Sequence, residues 1–128
     1  MFVNFALAYA NVGDKLNAIE SYKTALMIDP RLNNAQYNLA NLLDEVDKKD
    51  EAIEHYQAYI RNVPDNPDAY YNLGIIFQEK GDINESISLL TKANSLKPTD
   101  SDILKELGRN YHIAKNYQHG PRRPIPGG

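Results

Sequence analysis

Four asparagines in thirteen residues, NNAQYNLANLLDE at 33–45, are the side chains here whose type and spacing suggest recognition chemistry. An amide carries a donor and an acceptor together. One Asn can therefore pair with both the N–H and the C=O of an extended peptide, whatever that peptide's sequence. Elsewhere in a helix Asn is a poor choice, costing about 0.7 kcal/mol against Ala. Yet Ala35, Tyr37, Leu39, Ala40, Leu42 and Leu43 supply an apolar side with roughly helical spacing. At 100° per residue Asn34, Asn38, Asn41 and Glu45 fall on the line opposite.

Other chemistries find no foothold. His55, His112 and His119 are scattered, and no pair has i, i+4 spacing with a carboxylate to complete a metal site. The acids sit on repeat surfaces, and no segment reads as a closed apolar pocket that would raise a carboxyl pKa. There is no Gly-rich phosphate loop, no nucleophile motif and no cysteine. The expectation is a non-enzyme with no cofactor. Lys105 and Arg109, one helical turn apart, could take a single carboxylate. A net charge of −3 offers no broad basic field for nucleic acid. The apolar stretches are too short to span a membrane, and MFVNFALAYA lacks the basic flank of a signal peptide, so a cytoplasmic setting is expected.

The elements that position the asparagines repeat. Pro30, Pro64 and Pro98 are spaced 34 and 34, and the same offset superposes Asn4, Asn38 and Asn72. It also aligns Ala6, Ala40 and Gly74; Tyr9, Leu43 and Phe77; Ala18, Ala52 and Ser86; and Tyr22, Tyr56 and Leu90. Each unit reads as two helices: a reversal at VGD 12–14 or KGD 80–82, then a second helix stopped before its proline. Asp82 with Glu85 three residues on reads as a capping box. The predicted helices are 2–11, 15–28, 34–47, 50–62, 68–80, 84–96 and 102–114, with no strand. Small residues at Ala6, Ala40, Gly74 and Gly108, and at Ala18, Ala52 and Ser86, let helices approach closely.

These residues resemble the tetratricopeptide repeat family, a 34-residue helix–turn–helix with a W-x2-L-G-x2-Y, A-x3-F, P pattern. Phe2, Phe5, Ala6, Tyr9, Ala18, Tyr22 and Pro30 fit in the first unit. Tyr70, Leu73, Gly74, Phe77, Ser86, Leu90, Ala93 and Pro98 fit in the third, and Leu104, Leu107, Gly108 and Tyr111 begin a fourth. Two positions depart: Gln36 stands in a bulky slot, and Tyr59 replaces the small residue seen at Ala25 and Ala93. The array is expected over 1–117, in units of about 1–32, 33–66, 67–100 and a partial 101–117, before a disordered tail at 118–128. The resemblance implies an all-α, right-handed solenoid of antiparallel helix pairs whose first helices line a concave groove. The expected function is therefore a protein–protein interaction module receiving an extended peptide or partner helix. Its groove would hold Asn34, Asn38, Asn41 and Glu45 from the second unit and Asp68, Asn72, Ile75 and Glu79 from the third. Asn4 and Arg109 take the same line in the outer units, with Tyr37, Tyr71 and Lys105 flanking it. Asn4, Asn38 and Asn72 are similar to the asparagine ladder of peptide-gripping members. The family's carboxylate clamp for acidic tails is absent: Asn41 and Asn72 match its amides, but Tyr37, Asp102 and Glu106 fill its basic slots.

Both ends of the array read as unfinished. Met1, Phe2, Val3, Phe5 and Leu7 make the first helix apolar nearly all round. Ile103, Leu104, Leu107 and Tyr111 should pack on a second helix that KNYQ at 115–118 begins and GPRRPIPGG breaks. Three readings stand: a piece of a longer array, a homo-oligomer stacking through its terminal helices, or a monomer that tolerates its apolar patches. GPRRPIPGG, extended, spans ~28 Å at ~3.1 Å per residue. Its Arg122 and Arg123 complement the acids of the groove, so the tail itself is a possible occupant.

Overall fold

The computed structural model describes residues 12–119, with side chains described for 13–116. The expected helix 2–11, Asn4 and residues 120–128 of the expected tail lie outside the described residues, while Gln118 and His119, expected in that tail, are helical. Six helices follow one another: α1 (Val12–Ile28), α2 (Asn33–Glu45), α3 (Lys49–Asn62), α4 (Pro67–Glu79), α5 (Ile83–Leu96) and α6 (Ser101–His119). No strand occurs among the described residues. The chain divides into two compact units, Met1–Pro64 and Asp65–Gly128. In the first, α2 packs against α1 and α3; in the second, α5 packs against α4 and α6.

The 34-residue register is visible in how the helices stop and start. Asp47 (φ 65°) and Gly81 (φ 90°) are the described residues with positive φ, and they are register equivalents. Each ends a first helix the same way: Lys48 N–H donates to the Leu43 carbonyl at 2.8 Å, and Asp82 N–H to the Phe77 carbonyl at 2.9 Å. This six-residue closure satisfies carbonyls that a helix end otherwise leaves bare. The next helix in the second unit opens on Asp82, whose Oδ1 accepts from Glu85 N–H at 3.3 Å. Asn66 caps α4, with Pro67 at its first position, and Asp100 caps α6 by accepting from Asp102 N–H at 2.8 Å.

The register fails at two reversals. The expected turn at 12–14 is instead the first turn of α1, and Gly13 is helical. At the other end the expected break near Lys115 is absent, and α6 runs unbroken to His119. Lys115 occupies the position held by Gly81 one repeat earlier. Lys has neither the freedom of Gly81 nor the short polar side chain by which Asp47 tolerates the left-handed conformation, so the helix continues.

Close approach sets the second unit's core. A Cβ added to Gly74 would lie 3.0 Å from Leu90 Cγ and 3.4 Å from Leu89 Cβ. Leu90, Ala93, Leu73 and Ile76 are buried beside it. Gly108, one repeat on, would meet nothing within 4 Å. The two glycines should answer opposite ways to alanine. Helix propensity favours Ala by about 1 kcal/mol at both. At Gly74 overpacking against a buried branch point costs about 1–3 kcal/mol. Gly74→Ala should lower stability by about 1 kcal/mol net, and Gly108→Ala should raise it, in urea denaturation of dilute protein.

Candidate functional site

In the first unit the departures from the repeat pattern pair with one another. Gln36, in the bulky slot, bonds through Oε1 to His55 Nδ1 of α3. Tyr59, in the small slot, is buried and packs on Tyr37 with ring centroids 5.0 Å apart. Tyr37 also meets Tyr56 edge-on at 6.1 Å. Tyr56 in turn donates its hydroxyl to Asn41 Oδ1. An aromatic and amide seam thus joins α2 to α3, where the second unit uses Gly74 against Leu90.

This seam takes two expected groove residues. Tyr37 is half-buried between Tyr56 and Tyr59, and Asn41 accepts from the Tyr56 hydroxyl, so both hold the helix pair together. Asn34 and Asn38 are exposed on the outer side of α2, away from buried Leu39, Ala40 and Leu43. Glu45 is exposed at the end of that line and pairs with Lys15 of α1 at 3.2 Å.

The second unit presents a wider face. On α4, Asp68 and Glu79 are exposed, while Tyr71, Asn72 and Ile75 are half-buried. On α6, Asp102, Lys105 and Arg109 are exposed, and Arg109 Nε donates to Glu106 Oε1 at 3.1 Å. Burial raises the Tyr71 phenol above its ordinary pKa, with Glu106, Asp102 and Asp100 adding to the effect. Tyr71 is therefore an amphipathic ring amid acidic groups, a setting that favours a cationic neighbour. Lys105 and Arg109 share the α6 surface, but Arg109 already engages Glu106.

Behind this face runs a polar chain that the sequence reading missed. Gln78 Nε2 donates to Asn110 Oδ1 at 2.8 Å and to Glu106 Oε1 at 3.2 Å. Asn110 Nδ2 donates to Ser86 Oγ at 2.8 Å, and Ser86 Oγ donates to the Gly74 carbonyl at 2.7 Å. Asn110 and Ser86 are fully buried. A joint signal was present: Asn110 stands where Ile76 and Leu42 stand, and Ser86 where Ala52 stands. Two polar departures at facing core positions satisfy one another.

No group of three or more His, Asp or Glu that could hold a metal occurs among the described residues. No described helix is long and apolar enough to cross a membrane.

Comparison with known proteins agrees with this architecture. A family model described as TPR repeat matches residues 48–81, and one described as tetratricopeptide repeat matches 1–32 and 67–100. No curated protein matches the chain significantly in sequence. Among solved structures, one titled as the crystal structure of MamA superposes with a TM-score of 0.80 at 27% identity, covering 89% of this chain and 67% of that one. MamA residues 41–end from Desulfovibrio magneticus RS-1 gives 0.78 at 22%, over 92% and 67%. A double mutant of the RS-1 protein gives 0.79 at 22%, over 91% of this chain and 66% of that one. The chain thus spans about two thirds of the length of these relatives.

The Gln36–His55 pairing carries a pH dependence. Burial, ahead of the nearby charges of Glu54, Lys23 and Glu51, lowers the His55 pKa below its ordinary 6.5. As pH falls the unfolded ring takes its proton first, so protonation favours the unfolded chain. This contribution is fully present above pH 6.5 and is lost as pH falls through the lower folded value. Thermal melts between pH 8 and 5 should show that decline, and His55→Gln should flatten it.

Proposed function

The chain belongs to the tetratricopeptide repeat family, and from that premise we propose a non-catalytic adaptor whose first-helix faces hold an extended segment of another protein. The observation that carries this reading is the outer face of the second unit. There Tyr71 and Ile75, half-buried, lie among Asp68, Asn72, Glu79, Asp102, Lys105 and Arg109. Apolar area flanked by amides and charges suits a peptide whose backbone is gripped and whose side chains are sampled. The acids around Tyr71 favour a peptide carrying Lys or Arg. In the first unit Asn34 and Asn38 offer amides on the outer side of α2. Tyr37 and Asn41, half-buried, would meet such a peptide while also holding α2 to α3.

Magnitudes constrain the affinity. Each amide making two backbone bonds contributes a net ~2 kcal/mol. Fixing the backbone of a flexible peptide costs about 1–2 kcal/mol per residue. Side-chain area on Tyr71 and Ile75 must therefore contribute, and binding belongs at ~1 μM or weaker.

Labelled ten-residue peptides with two Lys or Arg should raise fluorescence anisotropy on titration, and acidic counterparts should not. Asn38→Ala with Asn72→Ala should keep the helical circular dichroism while weakening the basic peptide tenfold or more, ~4 kcal/mol and about a thousandfold where both amides contribute in full. Unchanged affinity in the double variant would remove the amides from the reading. Equal binding of acidic peptides would remove the charge preference.

A further inference from the structure

The ladder register does not continue as an amide. Counting 34 residues on from Asn4, Asn38 and Asn72 reaches Glu106 on α6. An amide offers a donor and an acceptor, whereas an ionised carboxylate offers acceptors alone. A backbone peptide group pairs fully with the first and only through its N–H with the second. The change at this position calls for a ligand group that carries donors and no acceptor.

The second unit holds that carboxylate in place. Gln78 Nε2 donates to Glu106 Oε1 at 3.2 Å, and Arg109 Nε donates to the same oxygen at 3.1 Å. Gln78 also donates to Asn110 at 2.8 Å, and Asn110 to buried Ser86. The Glu106 side chain is only 13% exposed. Two donors fill the lone pairs of Oε1. Oε2 enters no hydrogen bond or ion pair among the described residues, yet it keeps contact with solvent. One oxygen is anchored and the other is open.

Its surroundings suit a cation on an apolar stem. Tyr71 and Gln78 are two turns apart on α4 with Ile75 between them, so the three share a face. After burial, Glu106 does most to raise the Tyr71 phenol, ahead of Asp102 and Asp100, which sets it beside that ring. Neither the Tyr71 hydroxyl nor the Asp102 carboxylate makes a side-chain hydrogen bond among the described residues. Lys105 adjoins Glu106 in sequence, and neighbours on a helix do not face each other.

We propose that Glu106 Oε2, with Tyr71 and Asp102 beside it, receives the ammonium of a lysine side chain on the bound segment. This subsite rests on the adaptor reading above and deepens it. An ammonium is compact and has three donors, matching three separate acceptors: Glu106 Oε2, the Asp102 carboxylate and the Tyr71 oxygen. A guanidinium favours a fork on both oxygens of one carboxylate, and here Oε1 is taken. Lysine's apolar stem covers Tyr71 and Ile75. Gln78 and Arg109 act as positioning residues for the open oxygen.

Ten-residue peptides with acetylated N-termini keep the α-amino group out of the test. In anisotropy titrations of the full chain, a two-lysine peptide should bind roughly threefold or more tighter than its two-arginine counterpart. Its Nε-acetyl-lysine version should bind roughly tenfold more weakly or worse. Glu106→Gln keeps an oxygen for Gln78 and Arg109, so helical circular dichroism and melting temperature should hold. In that variant the two-lysine peptide should lose about tenfold or more, and its advantage over arginine should vanish. Asp102→Asn, at an exposed position outside the hydrogen-bonded chain, should weaken the lysine peptide roughly threefold. Glu85→Gln removes the same charge from the exposed start of α5 and should change neither peptide. An equal loss in Glu85→Gln means diffuse attraction and overturns the subsite. Lysine binding that survives Glu106→Gln unchanged overturns it too, while the adaptor reading stands. If no basic peptide binds the unaltered chain, both fall.

Discussion

The closeness of α4 to α5 at Gly74 is the constraint on which the second unit depends. With Leu90 Cγ 3.0 Å from where a Cβ would stand, the two backbones are as near as side chains permit. That proximity brings the Ser86 hydroxyl within 2.7 Å of the Gly74 carbonyl. Ser86 then has an oxygen to offer Asn110, and Asn110 an oxygen to offer Gln78. Three helices are joined by a hydrogen-bonded chain whose buried members are satisfied. Such a chain is more demanding than an apolar core, since losing one link leaves the next buried and unpaired. It specifies how α6 lies on α5 and supports Glu106 beneath the exposed face that carries Lys105 and Arg109.

The first unit solves the same packing problem with opposite means. Where the second unit has Ala93, it has Tyr59; where the second has Tyr70, it has Gln36. A large ring in a small slot forces the helices to find volume elsewhere, and Tyr37 supplies it by packing on Tyr59 and Tyr56. The polar Gln36 finds His55, whose position one repeat later is Leu89. The repeat pattern is therefore a specification of paired volumes and paired polarity. A departure at one position is tolerated when its neighbour across the helix pair departs with it.

Interaction chemistry follows from what this packing leaves outside. Core positions are taken by small and apolar residues, so amides and charges that do not serve the helix pairs face outward. On α2 those are Asn34 and Asn38, with Glu45 turned to Lys15 of α1; charged side chains of α4 and α6 lie around Tyr71 and Ile75. Charge distribution separates the two units as well. The first unit's cations are largely engaged, Lys15 with Glu45, Lys23 with Glu51 and Lys49 with Asp44. In the second, Asp100, Asp102 and Glu106 all bear on Tyr71.

By itself the sequence determined the repeat, the helix pairs and the helical face on which each residue falls. These follow from spacing, and spacing is local: 3.6 residues per turn and 34 per unit fix direction without any knowledge of neighbours. The helices α2 to α5 accordingly begin and end within about two residues of expectation. Only the tertiary structure decided which side chains on a given face are already engaged. Asn38 and Asn41 look alike in sequence, yet one is exposed and the other accepts from Tyr56 fifteen residues away. Tyr37 and Tyr71 are register equivalents, and one lies between two rings while the other lies among carboxylates. The reversals at Gly13 and Lys115 likewise needed the fold, because a glycine permits the left-handed conformation without requiring it. Periodicity states where a side chain points, and the partner that meets it there comes from another helix.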